Sequence, residues 1–196
     1  MLSVRDLTVA RGDRVLVQGL SLAVAPGEAV VLTGANGAGK TSLLRAVAGL
    51  LKPMAGTVAL DSEGERQDRL HLIGHQDGQK SGRTAGEELA FWCGWAGASG
   101  EGIDRAIAAL SLRPLLPLPV RVLSAGQRKR LAMGRLVAAE RPLWLLDEPL
   151  APLDADWRAA FGRLAEAHLA TGGMILAAAH DPMPFAHRTL GLGDVA

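Results

Sequence analysis

Apolar Leu2, Val4, Leu7 and Val9 are interleaved with polar residues, and Leu20-Ser21-Leu22-Ala23-Val24 has similar short β character before Pro26-Gly27. Both segments are expected as antiparallel edge strands. Ala29-Val30-Val31-Leu32-Thr33 is continuously apolar instead, the signature of a strand covered on both faces in a parallel sheet. From Thr41, Leu43, Leu44, Val47, Leu50 and Leu51 recur at helical spacing, and Pro53 closes the segment. Thr84-Ala85-Gly86-Glu87 reads as a capping box opening a helix through Leu89, Phe91 and Trp92. A second helix is expected over Glu101 to Leu110. Pro114, Pro117 and Pro119 then break regular structure, and Ser124 is placed as the N-cap of a long helix reaching about Glu140. Leu143-Trp144-Leu145-Leu146 and the run Met174 to Ala179 are two further buried strands, separated by a helix from about Asp156 to Leu169. The pattern predicts an α/β fold with a mainly parallel core sheet, N-terminal antiparallel strands and a helical insert over roughly 78–140, all within one domain covering 1–196.

Hydrophobic residues make up 48% of the 196 positions, so a membrane-embedded reading needs testing. It fails on length. Counting histidine with the charged residues, the longest charge-free stretch, Val15 to Gly27, has 13 residues and contains Gln18, Gly19 and Pro26, whereas a spanning helix needs roughly 18 or more. The N-terminus carries Arg5 and Asp6 early and shows no apolar h-region, so the product is expected to stay in the cytoplasm. The balance of 21 basic and 20 acidic residues argues against a dedicated nucleic-acid binder. Cys93 is the only cysteine, which excludes a disulfide framework, and the five histidines lack metal-type spacing. His71, His75, His168 and His187 are therefore read as structural. Tyrosine is absent.

Gly34-Ala35-Asn36-Gly37-Ala38-Gly39-Lys40-Thr41 matches G-x-x-x-x-G-K-[ST], after an expected strand and before an expected helix. Glycines let successive backbone N–H groups point inward, and the helix start, including Ser42, favours an anion there. Lys40 would bridge the β- and γ-phosphates of a nucleotide, and the Thr41 hydroxyl would bind Mg²⁺. This loop alone leaves small-molecule kinases, GTPases and motor-like ATPases open. Leu143-Trp144-Leu145-Leu146-Asp147-Glu148 is an apolar strand ending in two acids. Asp147 would hold Mg²⁺, mostly through water, and Glu148 would polarise the attacking water as general base.

Leu123-Ser124-Ala125-Gly126-Gln127 stands at a helix start, where a hydroxyl, a close backbone approach and a helix N-terminus make a second anion site. With these residues the chain resembles the ATP-binding-cassette (ABC) ATPases, whose signature is usually written LSGGQ. The resemblance covers nearly the whole chain and implies a homodimer on ATP binding, with the P-loop of one copy facing the signature of the other. It further implies that Gln76 touches Mg²⁺ and senses a transport partner. Ala151-Pro152-Leu153-Asp154 fits the D-loop, placing Asp154 near the nucleotide, and His180 fits the switch histidine on the γ-phosphate. Two positions depart from the family pattern. Ala125 replaces a glycine of the signature, and Arg11 stands where an aromatic ring normally stacks on adenine, so either its guanidinium takes the base or adenine is held loosely.

A bare cassette without a C-terminal regulatory domain is expected, and Leu72-Ile73-Gly74-His75-Gln76 and the signature followed by Arg128-Lys129-Arg130 narrow the likeness. These resemble the ATP-binding subunits of the haem exporters of cytochrome c maturation. That resemblance implies peripheral attachment at the cytoplasmic face of the bacterial inner membrane, through an integral subunit of the CcmB kind with CcmC and CcmD near by. Haem is not expected to bind this chain directly. A cassette of another exporter, or one assisting iron–sulfur cluster assembly, would share the same motifs. A metabolite kinase would need an arginine lid and an acceptor pocket instead.

Overall fold

A computed structural model describes residues 1–61, 66–75 and 78–193. In chain order the elements are β1 (Leu2–Arg11), β2 (Arg14–Val24), β3 (Ala29–Thr33), α1 (Lys40–Val47), β4 (Ala55–Leu60), β5 (Leu70–Ile73), α2 (Ala85–Trp95), α3 (Gly100–Ala109), α4 (Ala125–Ala138), β6 (Leu143–Asp147), α5 (Ala155–Ala170), β7 (Met174–Ala178) and β8 (Arg188–Gly191). Five of the strands form a parallel sheet in the order β5-β6-β7-β3-β8. A separate antiparallel sheet runs β2-β1-β4.

The unbroken apolar runs follow from burial on both faces of the parallel sheet. Val30, Leu32, Leu143, Leu145, Leu176 and Ala178 point to one core, shared with α1 and the antiparallel sheet. Their neighbours Val31, Trp144, Leu146, Ile175 and Ala177 point to the other, shared with α2 to α5. Side chains alternate faces with period two, so a strand with two dry faces has no polar position to spend. The helical insert packs α2 and α3 against α4. A capping box at Thr84/Glu87 starts α2 and Ser124 caps α4, as the sequence predicts, and Gln127 completes a second capping box at α4.

Several boundaries differ from expectation. β1 is not an edge strand: it lies between β2 and β4. The helix expected to reach Leu51 stops at Val47, because Gly49 adopts φ 77° and closes a Schellman motif, with Leu50 N–H donating to Arg45 O at 2.8 Å and Gly49 N–H to Ala46 O at 3.1 Å. α4 ends at Ala138 because Ala139 is extended. β4, β5 and β8 were not foreseen. β4 is largely exposed and built from small residues, and the other two have four residues each.

His71 on β5 is buried, with Nε2 2.7 Å from Ala139 O. Burial, reinforced by Arg141 and Arg135, pushes its pKa down to about 3 against the opposing effect of that bond. The unfolded chain therefore binds a proton between about pH 6.5 and pH 3 that the folded chain refuses, so stability falls as the solution is acidified through that window. Denaturation midpoints measured from pH 7.5 to pH 4 should drop with acid, and less steeply in His71→Gln.

Candidate active site

Strand β3 delivers the chain into residues 34–39, and α1 begins at Lys40. Gly34 has φ 136°, and a Cβ there would stand 2.6 Å from Leu192 O; at Gly39, φ 94°, it would stand 2.8 Å from Val17 Cγ2. Only glycine fits either place. Gly39 caps α1 without a side-chain hydrogen bond and no acid occupies the first turn, which contains Thr41 and Ser42. The leading N–H groups of α1, with those of Ala35 to Gly37 before them, thus suit an incoming anion. The Lys40 ammonium is buried and donates to Gly34 O at 2.7 Å and Ala35 O at 3.0 Å.

The carboxyl ends of β6 and β7 complete this mouth, the crevice where open parallel sheets bind ligands. Asp147 is buried, and Thr41 Oγ1 donates to both its oxygens, at 3.1 and 2.9 Å. Glu148 follows with φ 49°, its N–H bonded to Ala178 O at 2.9 Å, so the backbone turns left-handed where the strand ends. His180 stands two residues beyond β7. Its Nε2 lies 2.9 Å from Asn36 Oδ1, 3.4 Å from Lys40 Nζ and 3.7 Å from Glu148 Oε1. Lys40, Thr41, Asp147, Glu148 and His180, read separately from the sequence, meet at one place.

The signature residues sit elsewhere, at the start of α4. Ser124 Oγ accepts from Gln127 N at 3.1 Å and Gln127 Oε1 accepts from Ser124 N at 2.8 Å, which leaves the hydroxyl proton able to donate outward. A Cβ at Gly126 would lie 2.8 Å from Pro152 O, so the glycine lets the segment after β6 close on the helix. Asp154 is the N-cap of α5, accepting from Trp157 N at 2.9 Å. Ala125, Arg128, Glu148, Ala151 and Pro152, with His75 and Gln79, line an open cleft of about 520 Å³. Arg11 is exposed at the end of β1, opposite Arg14, and the β2 residues Leu16 and Val17 abut Gly39, which sets this hairpin beside the phosphate loop.

Gln76 lies outside the described residues, but its flanks are tied to α4. Lys129 Nζ donates to Gly74 O at 3.0 Å, Arg135 Nη2 to Leu72 O, and Gln79 Nε2 to Arg128 O at 2.9 Å. Sequence reasoning missed these ties. Lys129 belongs to the basic run Arg128-Lys129-Arg130, yet it is 2% exposed.

A family model described as ABC transporter matches residues 17–151. The chain belongs to the ABC transporter family. It is 46% identical over 199 residues to the cytochrome c biogenesis ATP-binding export protein CcmA of Rhodopseudomonas palustris (strain BisB5), spanning 100% of this chain and 99% of that relative. The namesake from Bradyrhizobium diazoefficiens is 42% identical over 198 residues, with 100% and 99% coverage. A solved ATP-binding subunit of an ABC transporter superposes with a TM-score of 0.83 at 24% identity, covering 92% of this chain and 79% of its own. A dimeric bacterial ABC transporter cassette gives 0.83 at 22%, covering 100% and 96%. The cassette is accordingly an ATP hydrolase of the transport type, and ATP with Mg²⁺ is what its fold family binds. The metabolite kinase reading falls. Among the described residues no helix is long and apolar enough to cross a membrane.

Proposed function

We propose that the chain is the ATP-hydrolysing subunit of a haem-export complex of cytochrome c maturation, and that it drives separate integral membrane subunits. The observation that carries this reading is full-length likeness to proteins named cytochrome c biogenesis ATP-binding export protein. Residues 1–196 act as one nucleotide-binding domain with its helical subdomain near 78–140, peripheral at the cytoplasmic face of the inner membrane.

The roles follow from the geometry. Backbone N–H groups of 34–42 hold the phosphates, and Lys40 moves from its two carbonyl acceptors to bridge the β- and γ-oxygens. Thr41 and Asp147 offer adjacent hard oxygens, with Gln76 assigned by the family likeness alone. When bound there, Mg²⁺ neutralises charge building on the phosphate oxygens. Glu148 takes the proton of the attacking water, and His180 donates to the terminal phosphate. Ser124, with the backbone at Ala125, Gly126 and Gln127, faces the nucleotide of a second copy, and Asp154 holds the α5 end of that interface through its cap. Closure of the two copies on two ATP molecules is the force-generating step.

Coupling runs through the segment carrying Gln76, which α4 grips on both sides. A groove of about 160 Å³ beside it is lined by Ala48, Leu50, Leu72, Trp92, Trp95 and Arg135. Leu50 and Trp95 of this lining are exposed, and the exposed Phe91 ring packs edge-on against Trp92. The groove's occupant is a cytoplasmic segment of the CcmB-like subunit, with CcmC and CcmD as further neighbours, because export requires membrane-spanning chain that the described helices do not provide. Affinity purification of the tagged chain from membranes tests the assignment. Recovery of a CcmB-like subunit supports it; recovery of another exporter's integral subunit, or of soluble iron–sulfur assembly proteins, overturns it.

Arg11 stacks on adenine in place of an aromatic ring, and a guanidinium discriminates bases weakly. The ratio of kcat/KM for ATP to that for GTP should stay well below several hundredfold. Arg11→Tyr should lower KM for ATP about threefold, and a several-hundredfold preference in the unaltered chain contradicts this role.

A further inference from the structure

We infer that Asn36 is a positioning residue for His180, its side-chain carbonyl setting the Nε2–H tautomer and aiming the imidazole into the phosphate loop. Two oxygens face His180 Nε2, Asn36 Oδ1 at 2.9 Å and Glu148 Oε1 at 3.7 Å. A ring nitrogen bearing a lone pair is repelled by both, whereas a ring N–H is attracted by both. The ammonium of Lys40, at 3.4 Å, would favour the opposite tautomer, but it has shorter acceptors in Gly34 O and Ala35 O. The 2.9 Å contact therefore decides.

Burial does not hold this ring. The His180 side chain is 49% exposed, and among the described residues Nδ1 has no hydrogen-bond partner, so the orientation depends on what Nε2 meets. Asn36 meets it from the opposite wall of the mouth, across 144 positions of sequence. The pairing is possible because β3 and β7 are neighbours in the sheet, with Leu32 beside Ala178. Loop residue and histidine both emerge from the carboxyl ends of adjacent strands. With Nε2 carrying the proton, His180 presents a donor toward the place where the terminal phosphate oxygens arrive, and needs no ring flip before catalysis. Such preorganisation acts on kcat more than on substrate binding.

The kinetic consequence rests on the proposed role of His180 at the γ-phosphate; the contact itself does not. Three measurements on the full chain separate them. Nitrogen-15 NMR of labelled histidine, without nucleotide at pH 8, should show His180 as a single Nε2–H tautomer. Asn36→Ala should give a mixed population, and Asn36→Asp, which keeps the oxygen acceptor, should restore the single one. Steady-state hydrolysis should show Asn36→Ala lowering kcat about fivefold with KM for ATP within twofold. In a His180→Ala background the same substitution should have no further effect on kcat, since residues acting as one unit are non-additive. An Nδ1–H tautomer in the unaltered chain, tautomer populations indifferent to Asn36→Ala, or an equal loss of kcat in both backgrounds overturns the inference. Full activity of His180→Ala sinks the phosphate role of the histidine, and the tautomer measurement still decides the contact.

Discussion

Lys40→Ala is expected to reduce phosphate release by two to three orders of magnitude and to weaken nucleotide binding, while the fold survives. The ammonium is the one cation that the described geometry places at the phosphate mouth, 8% exposed and held by two loop carbonyls. A charge fixed in place and aimed at developing phosphate charge counts for more than a mobile one in water. Its removal leaves Gly34 O and Ala35 O next to the solvent-accessible mouth, where water replaces the lost donors, so folding is barely affected. Loss of KM and kcat together, with a melting temperature unchanged within a few degrees, is the expected result. Lys40→Arg should not rescue, because a planar fork cannot take the place of a compact point charge against two carbonyls and a phosphate.

Glu148→Gln is expected to separate binding from chemistry. Glutamine keeps the length of the side chain, its left-handed backbone and the N–H bond to Ala178 O, and removes only the basic oxygen. A general base contributes about 10²- to 10⁴-fold, so kcat should fall at least about a hundredfold, or roughly 3 kcal/mol or more in the barrier, with ATP affinity retained. Near-normal turnover in Glu148→Gln would show that another group activates the water. The two substitutions differ in kind: the first removes a phosphate contact used throughout the cycle, the second a group needed only when water attacks.

The parts of the site that are contiguous in sequence were legible there. The phosphate loop, the acids closing β6 and the signature at the start of α4 each combine residue types and element context within about eight positions. The buried strands were equally legible because two dry faces force an unbroken apolar run, as in Leu143 to Leu146. What stayed hidden depends on which strands become neighbours. Asn36 and His180 meet only because β3 pairs with β7, and no spacing rule reports that. Lys129 stands between the basic Arg128 and Arg130, and nothing in that run reports that α4 turns it inward toward Gly74 O. β4 carries too little apolar surface to stand out from a loop; its pairing to β1 is a matter of backbone hydrogen bonds. Asp154, expected beside the nucleotide, is engaged as a helix cap, a use that Asp shares with any N-terminus.

The central claim is that one copy holds two half-sites which only a second copy completes. The direct test is the light-scattering mass of purified Glu148→Gln with saturating Mg²⁺ and ATP. A particle of twice the 20.5 kDa single-chain mass, reverting to one copy when ATP is removed, is the predicted result. A single-chain mass with one ATP firmly bound per copy would contradict the account.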